Sequence, residues 1–70
     1  MLKLTAADGL SSHEEVLLRL DQIEAVEYRD ASGGRQDSVT IWFRSGNTLA
    51  ISGDTHARTE KLYQQIEGAL

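Results

Sequence analysis

Hydrophobic and polar residues alternate most regularly in the segment SVTIWFRSGNTLAIS, residues 38–52. Val39, Ile41 and Phe43 fall on one side of the alternation, and the Ser-Gly-Asn triplet that follows them is typical of a turn. A period of two residues predicts a β-strand that buries one of its faces. The segment therefore predicts a β-hairpin with one apolar face.

The length of the turn decides which residues of this hairpin face each other. A two-residue turn would place Phe43 opposite the polar Thr48. A three-residue turn over residues 45–47 would place Phe43 opposite Leu49, which keeps one face wholly apolar. Asn47 would then take the third position, where the backbone is left-handed and asparagine is tolerated. We therefore predict the three-residue turn, whose other pairs are Ile41 with Ile51, Trp42 with Ala50, and Thr40 with Ser52.

The first half of the chain predicts further strands. Residues 2–5 alternate between apolar and polar side chains, and the Asp-Gly pair at residues 8–9 favours a turn after them. Residues 23–28 have the Ile, Val and Tyr content of a strand. Regular alternation there would put Ile23 and Ala25 on one face, and the opposite face would carry Glu24, Val26 and Tyr28.

Residues 13–20 fit two structures. A capping box that begins at Ser12 predicts a helix, with apolar side chains at helical intervals. Val16, Leu18 and Leu20 also alternate as one face of a strand would. We favour the strand for residues 15–20, and the helix remains the alternative.

The last segment, residues 54–70, has the pattern of an amphipathic helix. Leu62 and other apolar residues recur at helical spacing, and either Asp54 or Thr55 can cap its start. One helix of this length covers one face of a small sheet. The sequence therefore predicts a single α+β domain over residues 1–70, a small antiparallel β-sheet of four or five strands with a C-terminal amphipathic helix packed on one face.

Composition narrows the classes of function. The net charge is −4, from 11 acidic and 7 scattered basic residues. This opposes direct nucleic acid binding, because phosphate contacts need clustered Lys and Arg. No apolar run approaches the roughly 20 residues of a membrane helix, and the polar start does not fit a signal peptide. The absence of cysteine excludes disulfides and thiolate sites. We expect a cytoplasmic protein that binds neither nucleic acid nor membrane.

Motifs for catalysis and for metal binding are incomplete. The sequence HEEVL, which begins at His13, has Leu17 where a zinc motif requires its second histidine. Asp54 and His56 lie near Ser52, but helix capping accounts for them, and a catalytic triad needs groups from separate elements. We expect no catalytic residue, no metal site and no cofactor, and therefore no enzyme.

Aromatic residues are the remaining candidates for a site. Trp42 falls on the side of the hairpin away from the predicted apolar face. Either Ala50 and the ten-residue loop 29–38 cover it, or it belongs to a surface that binds a protein, where Trp, Tyr and Arg are frequent anchors. The loop itself is either a hairpin tip or a binding loop. The residues predicted to contact a protein partner are Thr40, Trp42, Arg44 and Tyr28.

Several stretches of the chain together resemble a known family. They are MLKLT with an Asp-Gly pair shortly after it, EVLLRLDQIEAVE, the hairpin segment, and a terminal amphipathic helix. This order resembles the FlbD-type family of small flagellar-associated proteins. The match at DQIEAV, residues 21–26, supports the strand interpretation of residues 15–20. The resemblance implies a small non-enzymatic accessory protein with no catalytic residues to transfer.

Two functions fit these observations. The first is a non-catalytic protein–protein interaction module, a small accessory or adaptor protein, whose partner is a protein of unknown identity or a second copy in a homodimer. The alternative is a small acidic inhibitor, of the kind that phages and mobile elements encode, which blocks a nucleic-acid-handling complex. Salt separates the two, because acidic mimicry weakens steeply with ionic strength. The acidic surface of the inhibitor would consist of Glu14, Glu15, Asp21, Glu24 and Glu27.

Overall fold

The computed structural model describes residues 1–30 and 36–70. Within these ranges the five strands form two antiparallel sheets, one of the first two strands and one of the other three, and a helix packs against them. The predicted α+β class is confirmed, with the strands divided between two sheets. In chain order the elements are β1 (Leu2–Thr5), β2 (Glu15–Leu18), β3 (Ile23–Arg29), β4 (Ser38–Phe43), β5 (Thr48–Ile51) and α1 (His56–Ala69), with short 3-10 turns at Ala6–Asp8 and Leu20–Gln22.

The sheet of β1 and β2 settles the structure of the ambiguous segment. Leu4 faces Val16, and Leu2 faces Leu18. Val16 and Leu18 are buried, whereas Leu17 between them is 58 % exposed. This alternation is that of a strand with one buried face, so the strand interpretation is confirmed and the helix is wrong. The strand ends two residues earlier than predicted.

The strand β3 contains an irregularity that changes which of its residues face the core. Its pairing with β4 shifts between Ile23 and Ala25, and an extra residue in one strand reverses the alternation that follows it. Ile23 is therefore buried, and Val26 and Tyr28 pack against the same core, while Ala25 is exposed. The predicted grouping of Ile23 with Ala25 is wrong because regular alternation does not anticipate the bulge.

The turn of the β4–β5 hairpin has the predicted length but begins one residue earlier, over residues 44–46. Gly46 donates its N–H to the carbonyl of Phe43 at 2.9 Å, and Phe43 donates to the carbonyl of Asn47 at 2.9 Å. Gly46 takes the third position with φ of 94°, where glycine has no steric cost and asparagine has some. The predicted register is therefore wrong, and the observed pairs are Val39 with Ile51, Thr40 with Ala50, Ile41 with Leu49, and Trp42 with Thr48.

The change of register leaves the two faces of the hairpin as predicted. Moving the turn by one residue shifts each pair by two positions along the opposite strand, and side chains repeat every two residues. Val39 and Ile41 are fully buried on the face toward α1. Trp42 therefore still lies on the opposite face, as the alternation predicts.

The helix α1 starts and packs as its sequence pattern indicates. Thr55 is the N-cap, since its hydroxyl accepts a hydrogen bond from the N–H of Arg58 at 3.2 Å. Leu62 and Ile66 are fully buried against the sheets. No helix in residues 1–30 and 36–70 has the length and apolar content needed to cross a membrane. The buried apolar core consists of Leu4, Leu10, Val16, Leu18, Ile23, Val39, Ile41, Ile51, Leu62 and Ile66.

Asp8 ties the turn after β1 to the helix. The N–H of Thr5 donates to one carboxylate oxygen of Asp8 at 2.9 Å, and the side-chain amide of Gln65 donates to the other at 3.2 Å. These hydrogen bonds, with that of Thr5 first, favour the charged form and lower the pKa of Asp8 below its usual range. The carboxylate therefore links two elements that are 57 residues apart in the chain.

Candidate functional site

The sheet β3–β4–β5 has one face toward α1 and one face away from it. We call the second face the outer face. Its side chains alternate along each strand with those that enter the core, and all of them are exposed or half-buried. The outer face consists of Ala25, Glu27 and Arg29 of β3, Ser38, Thr40 and Trp42 of β4, and Thr48 and Ala50 of β5.

Trp42 is the largest side chain of the outer face, and it lies between two small ones. It pairs with Ala25 on one side and with Thr48 on the other. The neighbour predicted from the sequence, Ala50, pairs with Thr40 instead. Side chains of this size cannot cover an indole ring, and 43 % of the Trp42 surface is exposed. The ring is therefore exposed between small side chains of the two neighbouring strands.

The structure brings together only part of the predicted contact surface. Thr40 and Trp42 share the outer face. Arg44 lies exposed in the hairpin turn, where its N–H donates to the carbonyl of Gln22 at 2.9 Å. Tyr28 lies on the other face of the sheet, packed against the core, because the bulge in β3 turns it that way. Tyr28 therefore does not belong to the same surface as Trp42.

The charges of the outer face pair with each other. Glu27 and Arg29 form an ion pair at 3.0 Å along β3. On the other sheet, Glu15 forms an ion pair with Lys3 at 3.2 Å. The predicted acidic residues are thus spread over several elements, and two of them are already neutralised by neighbours. Those exposed without an ion pair to any described residue are Glu14, Asp21 and Glu24.

A polar cluster lies on the side of the molecule toward α1, where the residue before β4 meets the start of the helix. The Tyr28 hydroxyl donates to the carboxylate of Asp37, which also contacts Nδ1 of His56. The same hydroxyl lies 3.1 Å from that nitrogen. Asp30, exposed at the end of β3, has a carboxylate oxygen in the same group. We call these four residues the Asp37 cluster.

Tyr28 acts as a neutral donor in the Asp37 cluster. Partial burial raises its pKa well above the ordinary value of 10.0, and the hydrogen bond to Asp37 and the charge of that carboxylate raise it further. The ring of Tyr28 meets His56 edge-on at 6.0 Å between centroids, and Tyr63 at 5.7 Å. Contacts with His56 and Tyr63, both in α1, therefore hold the phenol of Tyr28 beside the carboxylate of Asp37.

Asp37 and His56 were not predicted to share a site. Asp37 belongs to a polar loop in the sequence, and His56 follows the helix cap, so each has a sufficient local explanation. The signal that could have joined them is the strand pairing, because Tyr28 faces Val39 in β3–β4. That pairing places Asp37, two residues before Val39, close to Tyr28, so the register of β3 and β4 would have predicted the contact. The central part of loop 29–38, residues 31–35, lies outside the described residues, so the binding-loop hypothesis stays a prediction.

A shallow apolar cleft of about 320 Å³ lies between β2 and the hairpin turn. Leu17, the exposed apolar residue of β2, forms part of one wall, and half-buried Phe43 forms part of the other. Arg19 and Asn47 add polar groups at the rim. The cleft is a second exposed apolar region, separate from the outer face. A substitution in the cleft can therefore serve as a control for a substitution of Trp42.

Comparisons with known proteins return no match: no family, no curated protein and no solved structure is similar to this chain. The resemblance to the FlbD-type family therefore stays a prediction from the sequence. The function of the chain has to be argued from its own surfaces.

Proposed function

We propose that the protein is a non-catalytic interaction module, a small accessory protein that binds another protein through its outer face. The observation that carries the proposal is the position of Trp42, which is 43 % exposed on the central strand of the sheet, near the hairpin turn. Tryptophan is one of the three residue types, with tyrosine and arginine, that are enriched among the energetic anchors of protein interfaces. The smaller side chains around it, such as Ala25 and Thr48, let a partner approach closely.

The chemistry of the outer face indicates what kind of partner it fits. Thr40 and Thr48 are the nearest hydroxyl residues to Trp42 on the outer face and can hydrogen-bond at the rim of an interface, while Glu27 and Arg29 already form an ion pair. A partner would therefore present an apolar recess for the indole within a polar, weakly charged surface. That partner is a different protein or a second copy of this chain. Binding should depend only weakly on salt.

The test compares Trp42→Ala with Leu17→Ala, which removes an exposed apolar side chain on the other sheet. Sedimentation measures self-association, and affinity capture from the source cell followed by mass spectrometry measures other partners. We expect Trp42→Ala to weaken binding by about 30-fold or more, with an unchanged circular dichroism spectrum, and Leu17→Ala to bind as the wild type does. Equal binding by wild type and Trp42→Ala would reject the outer face as the contact.

Ionic strength tests the alternative, an acidic inhibitor of a nucleic-acid-handling complex. The exposed carboxylates of Glu14, Asp21 and Glu24 favour that alternative, since no described residue neutralises them. If they bind a basic partner, a rise from 50 to about 300 mM salt should reduce affinity steeply, and Trp42→Ala should not. A weak salt dependence combined with loss of binding in Trp42→Ala supports the interaction module instead.

A further inference from the structure

Three side chains with metal-binding atoms converge in the Asp37 cluster. One oxygen of Asp30, one oxygen of Asp37 and one ring nitrogen of His56 all lie within 4.8 Å of one another. The residues come from the segment after β3, the segment before β4 and the first turn of α1. Folding therefore brings the three residues together from separate segments. Helix capping and turn formation are local and do not explain why these residues meet.

The imidazole distinguishes this group from a patch of surface carboxylates. The ring of His56 contacts Tyr28 edge-on, with an interplanar angle of 89°. Nδ1 of the ring faces Asp37, while Nε2 lies 3.7 Å from a carboxylate oxygen of Glu60. Metal-bound histidines commonly have this arrangement, in which one nitrogen binds the ion and the other faces an outer carboxylate.

Burial divides the group into a fixed interior ligand and two accessible ones. The side chain of Asp37 is 4 % exposed and therefore held by its surroundings, whereas the side chain of His56 is 62 % exposed. Asp30 is also exposed. An ion would enter from solvent and bind Asp30 and His56, with water completing its coordination. The buried carboxylate of Asp37 would fix the position of the ion.

We propose that Asp30, Asp37 and His56 bind a divalent transition-metal ion, with Zn²⁺ as the best match. One imidazole nitrogen with two carboxylate oxygens suits Zn²⁺, whereas Mg²⁺ and Ca²⁺ prefer oxygen ligands alone. Zinc bonds of about 2.0–2.2 Å place two ligand atoms roughly 3.4 Å apart in a tetrahedral site. Small rotations of the exposed side chains would bring the group to that spacing. Zinc would then link both ends of the segment between β3 and β4 to α1.

The chain contains two histidines, which provides a matched control. His56→Gln removes the proposed nitrogen ligand, and His13→Gln removes an exposed imidazole whose Nδ1 contacts the neighbouring Ser12 hydroxyl. Zn²⁺ is titrated into the full chain by calorimetry, and NMR follows the resonances of both rings. We expect one equivalent to bind, with the ring shifts confined to His56. His56→Gln should lower the affinity by at least about tenfold, and His13→Gln should leave it unchanged.

Asp30→Asn provides a second variant that does not disturb the core, because Asp30 is exposed. It should also weaken Zn²⁺ binding, and Mg²⁺ should compete poorly in the wild type. The proposal is overturned if no Zn²⁺ binds at millimolar concentration, or if His56→Gln binds as the wild type does. Loss of binding in His13→Gln would also overturn it. The site lies on the opposite side of the sheet from Trp42, so the result is independent of the proposed protein contact.

Discussion

A single methyl group added at Gly53 should be strongly destabilising. A Cβ at Gly53 would lie 2.8 Å from the carbonyl oxygen of Gly9, 2.9 Å from Cβ of Arg58 and 3.0 Å from its carbonyl carbon. Two of these three atoms belong to backbone that other elements hold in place. Gly53 also bridges to Leu10 and donates its N–H to the buried Thr59 hydroxyl at 2.9 Å. The residue therefore joins the β1–β2 connection to α1.

The expected magnitude for Gly53→Ala follows from these contacts. Overpacking costs about 1–3 kcal/mol, and weakening the hydrogen bond to Thr59 adds about 1 kcal/mol. The free energy of unfolding of a 70-residue domain is about 4–10 kcal/mol. We therefore expect Gly53→Ala to remove about 2–4 kcal/mol and to lower Tm by roughly 10–25 °C.

Gly68→Ala is the matched control, because a Cβ there has no atom within 4 Å. Gly68 lies in α1, where alanine is a better helix former, so this change should stabilise the protein by about 0.5–1 kcal/mol. Urea unfolding followed by circular dichroism measures both variants. The reasoning is refuted if Gly53→Ala unfolds within 0.5 kcal/mol of the wild type, or if the two variants change stability alike.

Three further tests, which use four variants, address other contacts. Ile41→Ala should lower the free energy of unfolding by about 2–5 kcal/mol, because the Ile41 side chain is fully buried. Trp42→Ala, on the other face of the same strand, should lower it by only about 1 kcal/mol. Equal losses of the two variants in urea unfolding would contradict the assignment of faces. Thr59→Val should cost about 1–3 kcal/mol by leaving the Gly53 N–H without its acceptor, and a variant as stable as the wild type would show that this bond adds nothing. Hydrogen bonds lower the pKa of Asp8 in the folded protein, so its contribution to stability is present above the ordinary pKa of 3.8 and is lost as pH falls through the folded pKa. Asp8→Asn should therefore be less stable than the wild type at pH 7, and the difference should shrink as the pH is lowered below the ordinary pKa. A difference that does not change with pH would reject the linkage.

The hairpin shows which part of a fold an alternating pattern determines. Its period of two predicts correctly that Val39 and Ile41 enter the core and that Trp42 does not. The pattern does not distinguish registers that differ by two positions, because every such register keeps the same faces together. The choice between them depends on the backbone of the turn, where Gly46 accepts the left-handed conformation at less cost than Asn47. The predicted pairs were therefore wrong although the predicted faces were right.

The other differences arise from interactions that join distant parts of the chain. The bulge in β3 moves Tyr28 from the predicted contact surface to the core side, and no local signal in IEAVEY separates a bulged strand from a regular one. Asp37 and His56 are 19 residues apart and meet only when the helix packs across the sheet. Helix capping is local, and Thr55 is one of the two N-caps that the sequence predicts, whereas the Asp37 cluster depends on tertiary packing.

The arrangement of the sheet allows its two proposed surfaces to be separated experimentally. Tyr28 and Trp42 lie on neighbouring strands but on opposite faces, so the side chain of one does not reach the surroundings of the other. A metal at the Asp37 cluster would stabilise the folded state by binding it selectively, and Tm would rise with zinc in Trp42→Ala as in the wild type. Trp42→Ala should in turn lose its partner with or without zinc. If zinc instead changed partner binding through the outer face, the two sites would have to be coupled through β3 and β4. His56→Gln would then abolish the effect of zinc on partner affinity while leaving Trp42 in place.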